Sequence, residues 1–223
     1  MSEFSVLPTC VGFIMDGNRR WATEQELPTV NGHEKGAEVF FAVVDWVREY
    51  HIPHAVFYAF STENWKRSET EVAYLMNLFS HALGDIHAVR VKIIGERELF
   101  SPELQTKMRD LESKSETVES ETTIWVALSY GGRAEITAAV NEAVRLGAPV
   151  TSDSFGQLLW TTGMPDPDLI IRTGGDMRLS NFLPWQTVYS ELMFTNTYWP
   201  AFTKEEFTRM LTQYGERKRR FGA

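Results

Sequence analysis

The chain has 223 residues, of which 43% are hydrophobic and 23% charged, a composition typical of a globular protein with one large domain or two small ones. Its formal net charge of −8 argues against a nucleic-acid partner. The single cysteine excludes an internal disulfide and a multi-cysteine metal cluster, and no apolar run approaches the ~20 residues that span a bilayer. The first residues lack a secretory-signal pattern, so we expect a cytoplasmic protein with at most peripheral membrane contact.

Six short apolar runs predict β-strands, because continuous rather than alternating apolarity suits strands covered on both faces. In chain order they are 10–15, 54–60, 90–95, 122–128, 168–172 and, more weakly, 192–196. Between them, apolar residues at helical spacing predict helices over 32–50, 68–83 and 131–147. Ser68 and Glu71 form a capping-box pattern, and Gly147 is a helix stop. This alternation predicts a single α/β domain over 1–223 with a mainly parallel central sheet flanked by helices.

Three polar stretches follow predicted strands, at the edge of a parallel sheet where ligands collect. They are DGNRRW (16–21), STENWKR (61–67) and RTGGDMRLS (172–180). The side chains of these stretches are candidates for a single site.

The first stretch, DGNRRW, has the composition of an anion site. Gly17 allows an unusual backbone angle, Asn18 could cap a following helix, and free N–H groups at a helix start favour phosphate. Arg19 and Arg20 add charge-assisted donors. A plain strand-to-helix turn with solvated arginines is an equally good interpretation of this motif alone.

The third stretch, RTGGDMRLS, suggests a second anion site, formed by Arg172, Arg178 and Ser180. The alternative is a glycine-rich turn in which Asp176 pairs with an arginine. Two phosphate sites would suit Mg²⁺, which commonly bridges one or two carboxylates with substrate phosphates. Asp16 lies among the first donors, and Glu191 is an acid inside an apolar stretch, where it needs a metal or a salt-bridge partner.

Residues of the middle stretch could orient a proton acceptor and a substrate head around the indole of Trp65. The same run is compatible with a helix start, with Ser61 as cap and Glu63 in the first turn. His33, in NGHEKG, is a candidate phosphate donor or proton carrier, and a histidine bonded to backbone at a helix start is the alternative.

Taken in order, eight blocks of the chain resemble the cis-prenyltransferase family, whose best-known member is undecaprenyl diphosphate synthase. The blocks are IMDGNRRWA, GHEKGAE, YAFSTENWKR, IIGE, YGGRAEI, IIRTGGDMRLSNFLPWQ, YSELMF and WPAF, and the resemblance spans residues 10 to about 221. It implies a single α/β domain with a deep apolar tunnel, a homodimer, and Mg²⁺-dependent condensation of an allylic diphosphate with isopentenyl diphosphate.

The resemblance also implies roles for individual residues. Asp16 would be the essential acid and a Mg²⁺ ligand, Glu191 would complete the metal site, and Asn64 would act in proton removal. The residues implied to bind or shape the allylic site are Gly17, Asn18, Arg19, Arg20, Trp21, His33, Ser61, Thr62, Glu63, Trp65 and Arg67. Those implied to hold the second diphosphate are Arg172, Arg178, Leu179 and Ser180. The C-terminal 217–222 segment resembles one that approaches the partner subunit.

Two departures from the family pattern bear on the product. Thr29 stands where most members carry an arginine, and the connection from the middle stretch to the third strand is about six residues shorter than in chain-elongating relatives. A shorter tunnel wall favours a C10–C15 product, with Phe13 and Phe79 as limiting side chains, and the linkage could be an irregular branched or cyclised one of the lavandulyl type. The alternatives are a regular undecaprenyl-type synthase that uses isopentenyl diphosphate and a non-catalytic subunit of the same fold.

Overall fold

The computed structural model describes residues 6–147 and 149–217. Six strands form one sheet: β1 (Cys10–Ile14), β2 (His54–Ser61), β3 (Arg90–Ile94), β4 (Thr123–Tyr130), β5 (Leu169–Arg172) and β6 (Glu191–Phe194). The α-helices are α1 (Asn18–Glu24), α2 (Thr29–Glu49), α3 (Glu69–Asp85), α4 (Pro102–Glu116), α5 (Gly132–Leu146), α6 (Ser152–Gly156) and α7 (Lys204–Glu216). Short 3₁₀ helices span Thr62–Lys66, Arg97–Leu99 and Trp199–Ala201.

The sheet is parallel throughout, with strand order β3-β4-β2-β1-β5-β6. β1 therefore lies between β2 and β5, and its last residue, Ile14, is in register with Tyr58 and Arg172. Because parallel strands end at the same edge, this order places the three polar stretches side by side. The predicted α/β class and single sheet are confirmed.

Both faces of the central strands are buried, as continuous apolarity predicts. Along β1, Val11 and Phe13 face one hydrophobic cluster, and Cys10 and Ile14 face the other. At Gly12 a side chain would collide with Ile170, since an added Cβ would lie 2.4 Å from its Cδ1. The side chain of Ile170 thus packs directly over that glycine.

Side chains of α4 cover the outer backbone edge of β3, the first strand of the sheet. The hydroxyl of Ser115 accepts from Val91 N at 3.0 Å, and Glu112 Oε1 accepts from Ile93 N at 2.8 Å. Arg97 donates to the Ile93 carbonyl and is paired with Glu112. These bonds satisfy outward backbone groups that would otherwise invite another strand.

All six predicted strands and all three predicted helices are present, with ends that differ by up to three residues. Gly147 ends α5 with φ of 67°, as expected of a glycine stop. The expected capping box of α3 is half formed, since Ser68 Oγ accepts from Glu71 N but the Glu71 carboxylate goes elsewhere. The expectation for segment 217–222 falls mainly on residues outside the described ranges. Across 6–147 and 149–217, no helix is long and apolar enough to cross a membrane.

Candidate active site

The carboxyl ends of β1, β2 and β5 border a polar cavity of about 550 Å³. All three predicted stretches contribute to it. Its polar lining residues are Asp16, Asn18, His33, Tyr58, Ser61, Glu63, Asn64, Arg67, Arg172, Ser180 and Asn181. The predicted convergence of the three stretches at one edge of the sheet is therefore observed.

Asp16 lies at the centre of this edge, held between two arginines. Its Oδ2 lies 2.8 Å from Arg172 Nη2 and its Oδ1 lies 3.0 Å from Arg20 Nη2. Burial alone would raise the pKa of the Asp16 carboxyl, but the hydrogen bonds and charges of Arg172 and Arg20 outweigh it and hold the pKa below its usual value. Asp16 is therefore an ionised carboxylate at neutral pH.

Arg172 is the buried cation of the site, with a side chain that is 4% exposed. Its Nη1 donates to Ser180 Oγ at 2.8 Å and to the Arg178 carbonyl at 2.5 Å, and its Nη2 donates to Asp16. The Nε is buried without a partner among the described atoms. Arg172 and Ser180 thus form the inner wall of the second predicted anion site.

Arg178 forms the outer part of that site, and its side chain is 61% exposed. It contacts both oxygens of Asp176 at 2.9 Å, so the ion pair named above as the alternative for this turn exists. Asp176 Oδ2 also lies 3.6 Å from Arg20 and 3.7 Å from Arg172. In this structure Asp176 is therefore the counter-anion of three arginines.

A second polar cavity, of about 630 Å³, lies beside α1. Asp16, Gly17, Arg19, Arg20, His33 and Arg67 line it, together with Tyr198. Gly17 precedes α1 with φ of 105°, and Tyr198 packs where a side chain at position 17 would stand. The expectation that Asn18 caps the helix is wrong, because Asn18 is its first residue and its Nδ2 donates to the Met15 carbonyl.

The 3₁₀ helix after β2 is closed by a capping box. Ser61 is its first flanking residue, and Asn64 Oδ1 accepts from Ser61 N at 3.0 Å. Glu63 Oε1 accepts from Asn181 Nδ2 at 3.1 Å, which ties this turn to the loop after β5. Burial alone would raise the pKa of Glu63, but hydrogen bonds from its own backbone, Ser61, Asn181 and Thr62 lower it. The alternative of a helix start is correct here, and the same residues line the polar cavity.

His33, on α2, lines both polar cavities. Its Nε2 lies 3.2 Å from Glu71 Oε1, which also accepts from Arg67 Nη1 at 3.0 Å. Burial lowers the pKa of His33 more than the Glu71 contact raises it, so the imidazole is neutral at pH 7. The alternative of a backbone-bonded histidine is wrong, because the partner is a carboxylate.

An apolar cavity of about 100 Å³ continues from the polar ones. Met15, Asn18 and His33 line all three cavities and so mark the junction. Large side chains narrow it, among them Phe40 of α2, Phe79 and Leu83 of α3, Ile86, and Leu128 of β4. Leu83 and Ile86 also line a further cavity between α3 and α4, so these two side chains separate the two apolar spaces.

Several predicted site residues do not line these three cavities. Trp65 donates from Nε1 to Ser129 Oγ and packs against Phe60 and Phe100, so it supports the site from the core. Leu179 packs beside the second hydrophobic cluster. Trp21, Thr62, Arg178 and Glu191 also lie outside the lining.

Glu191 is not beside Asp16 within one chain. It begins β6 in register with Leu169, which pairs with Val11, whereas Asp16 follows the other end of β1. At ~3.3 Å per residue along a strand and ~4.8 Å between strands, the two backbones are separated by about 20 Å. Glu191 pairs instead with Arg217, so the salt bridge expected as the alternative is present, and within one chain Glu191 does not reach Asp16.

The carboxylates of one chain do not form a preassembled metal site. Among the described residues no group of three His, Cys, Asp or Glu side chains could hold an ion. One ionised carboxylate with anion sites on either side fits Mg²⁺, because this ion commonly takes one or two carboxylates and completes its shell with phosphate and water. Asp16 is the residue of the described chain that meets this description.

The family model described as "Putative undecaprenyl diphosphate synthase" matches residues 14–222. The chain belongs to this prenyltransferase family. It is 44% identical to an isoprenyl transferase of Thermotoga maritima over 97% of both chains. It is 40% identical to a ditrans,polycis-undecaprenyl-diphosphate synthase ((2E,6E)-farnesyl-diphosphate specific) of Legionella pneumophila, over 97% of this chain and 96% of that one.

The crystal structure of lavandulyl diphosphate synthase from Lavandula x intermedia, in complex with dimethylallyl diphosphate, superposes with a TM-score of 0.92. It shares 29% identity and covers 97% of this chain and 99% of that one. Together these relationships establish a cis-prenyltransferase fold and a prenyltransferase enzyme.

Three residues at the site were not predicted from the sequence: Tyr58, Glu71 as the partner of His33, and Asn181. Asn181 alone offered a local signal, because it directly follows the RTGGDMRLS stretch. Ser180 and Asn181 both have positive φ, at 48° and 67°, a conformation that asparagine tolerates better than most residues. Tyr58 donates to the carbonyls of Tyr130 and Ser180 from inside β2, where nothing in its apolar run distinguishes it.

Proposed function

We propose that this enzyme condenses dimethylallyl diphosphate with a second five-carbon prenyl diphosphate, releases diphosphate and stops at a C10–C15 product. The observation that carries the proposal is the small apolar cavity of about 100 Å³ that joins the polar cavities and is narrowed by Phe40, Phe79 and Leu83.

The first diphosphate is proposed to bind along Arg19, Arg20 and the start of α1. When the allylic C–O bond ionises, negative charge grows on the departing diphosphate. Fixed donors at that point stabilise the charge without reorganising. Arg20 is held in place by Asp16 and by the Gly174 carbonyl, which accepts from its Nη1 at 2.6 Å.

Mg²⁺ is the proposed cofactor, with Asp16 as its ligand from this chain. When bound, the ion would neutralise charge on the leaving diphosphate. The pKa of Asp16 is held low by the two arginines, so the carboxylate is ready to bind a cation throughout the neutral range. A Glu191 contribution would have to come from a second copy.

The second substrate is proposed to place its diphosphate on Arg172, Arg178 and Ser180. Its double bond attacks the allylic cation, and a proton is then lost from the new skeleton. Asn64 lines the same cavity, where its amide is oriented by Ser61 N. The apolar pocket beside it excludes water, which would otherwise capture the cation.

A homodimer is proposed on the basis of exposed apolar side chains near the β6 edge of the sheet. Val188 and Tyr189 are largely exposed, Leu192 is 36% exposed, and β6 ends the sheet as described. Glu191 and Arg217 lie at the same edge.

The acidic chain and its one buried cysteine also support a cytoplasmic location.

A regular undecaprenyl-type synthase is the second candidate, because the Legionella pneumophila relative carries that name. The irregular, lavandulyl-type linkage is supported by the high superposition on the lavender enzyme. The irregular synthase would use dimethylallyl diphosphate as its second substrate, whereas the regular synthase would use isopentenyl diphosphate.

The test is to incubate the purified enzyme with Mg²⁺ and dimethylallyl diphosphate, with and without isopentenyl diphosphate, and to measure released diphosphate. Release with dimethylallyl diphosphate alone indicates an irregular coupling, and release only with isopentenyl diphosphate indicates a regular one. Chelation by EDTA is expected to stop both. No release under any condition would refute the proposed reaction.

A further inference from the structure

The carboxylate of Glu71 turns away from the helix that it begins. In a complete capping box it would return to the backbone N–H of Ser68. Instead its Oε1 accepts from Arg67 Nη1 at 3.0 Å and lies 3.2 Å from His33 Nε2. One oxygen atom therefore joins α2 to the turn before α3.

This junction is well shielded from solvent. The side chains of Glu71 and His33 are 15% and 7% exposed, and that of Arg67 is 28% exposed. Such contacts are stronger than surface ion pairs, because water competes for them less. The arrangement is consequently able to fix the orientation of both partners.

Glu71 contacts two residues of the site without lining its cavities. His33 lines all three cavities and Arg67 lines the two polar ones, whereas Glu71 lines none of the three. Removing Glu71 would therefore remove no direct contact with a ligand in these cavities. Any effect on binding would have to pass through His33 or Arg67.

The hydrogen-bond pattern selects one form of the His33 ring. Glu71 Oε1 is already an acceptor for Arg67, so the facing His33 Nε2 carries the proton of the neutral imidazole. The other nitrogen, Nδ1, is then an acceptor. A ring in this form cannot donate a second hydrogen bond to phosphate.

We propose that Glu71 is a positioning residue that gives its two partners different roles. Arg67 donates hydrogen bonds to the anionic group of the substrate, and His33 has Nδ1 as a hydrogen-bond acceptor. The identity of that anion as a diphosphate rests on the proposed function, but the ring form of His33 does not. This division corrects the candidate role of His33 as a phosphate donor and supports its role as a proton carrier.

The first measurement is ¹⁵N NMR of the histidine rings at pH 7.5, with His33 assigned by comparison with His33→Gln. The wild-type ring is expected as the Nε2–H form alone. Glu71→Ala is expected to give a mixture of both neutral forms. A wild-type ring protonated at Nδ1 would overturn the proposal.

The second measurement is calorimetric binding of inorganic pyrophosphate. Glu71→Ala is expected to bind about tenfold more weakly, the value of one charge-assisted hydrogen bond, and Arg67→Ala at least as weakly. Glu71→Gln keeps an acceptor oxygen and is expected to stay within about threefold of wild type. Glu69→Ala, which removes the other acid from the first turn of α3, is the matched control and is expected to bind normally.

The outcomes separate positioning from charge. If both Glu71→Ala and Glu71→Gln bind pyrophosphate more tightly than wild type, Glu71 merely neutralises Arg67 and the proposal is wrong. If Glu71→Ala does not fold, the wild-type ring form and the Glu71→Gln affinity still decide. Wild-type protein that binds no pyrophosphate would refute the proposed function, while the NMR result would stand by itself.

Discussion

Asp16 Oδ2 lies 2.8 Å from Arg172 Nη2, so a salt bridge joins the carboxyl ends of the neighbouring strands β1 and β5. The arginine is almost fully buried, and Asp16 is its nearest anion. The pair therefore has two functions: it balances a charge inside the protein, and it holds an ionised carboxylate between the two anion sites.

Replacement of Asp16 by Asn should remove turnover and leave the fold intact. The amide keeps the shape but loses the charge that a metal needs and that Arg172 faces, so we expect at least a hundredfold fall in turnover and a stability loss of about 1–3 kcal/mol. Steady-state release of diphosphate and urea denaturation measure the two effects. Turnover near the wild-type rate would remove Asp16 from the mechanism.

Replacement of Arg178 by Ala should affect the second substrate selectively. Its side chain is 61% exposed, and exposed ion pairs contribute about 0–1 kcal/mol, so stability should barely change. A charge-assisted bond to diphosphate contributes about 1.5–3 kcal/mol, which predicts a KM for the second substrate raised roughly tenfold or more. An equal rise in KM for dimethylallyl diphosphate would contradict the assignment.

Replacement of Phe79 by Ala should lengthen the product, because Phe79 lines the apolar cavity. Phe13 is the informative contrast. It was expected to limit length as well, but it is buried in the core, stacked on Phe57 at 4.9 Å, and does not line the cavity. Phe13→Ala should cost about 3–5 kcal/mol and leave the product length unchanged. Mass spectrometry of dephosphorylated products measures the product length of both variants, and urea denaturation measures their stability. An unchanged product from Phe79→Ala would refute this account of the pocket.

The stability of the protein should decrease as the pH falls below about 6.5, in part through His33. The groups that face this ring are Glu71, Arg67 and Arg19, and burial gives it a lowered pKa in the folded state. The unfolded chain then binds the proton first, so the free energy of unfolding falls with falling pH in this window. His33→Gln should reduce that slope between pH 7.5 and 5.5 in urea denaturation. An unchanged slope would show that His33 does not titrate in this way.

The fold was predictable because its determinants are local. Val11, Phe13 and Ile14 belong to a run with no polar face, which indicates a strand covered on both sides. Strand order could not be derived from such runs, and the adjacency of β1 and β5 across more than 150 residues appears only in the structure.

The site was predictable where a residue's role depends on its place in the chain. Asp16 comes just after β1 and Arg172 ends β5, so their edge of the sheet was foreseeable. The partners of Glu71 and Glu191 could not be named from the sequence, because the pairs with His33 and Arg217 depend on tertiary contacts. Local patterns offered each of these acids several partners of equal plausibility.

The mass distribution of the dephosphorylated products tests the central claim most directly. Wild-type enzyme would be incubated with Mg²⁺, dimethylallyl diphosphate and an excess of isopentenyl diphosphate until substrate is consumed, with Asp16→Asn as the control. The account predicts products of ten to fifteen carbons, because Phe40, Phe79 and Leu83 narrow the apolar cavity to about 100 Å³. Chains of fifty carbons or more from the wild-type enzyme would contradict it.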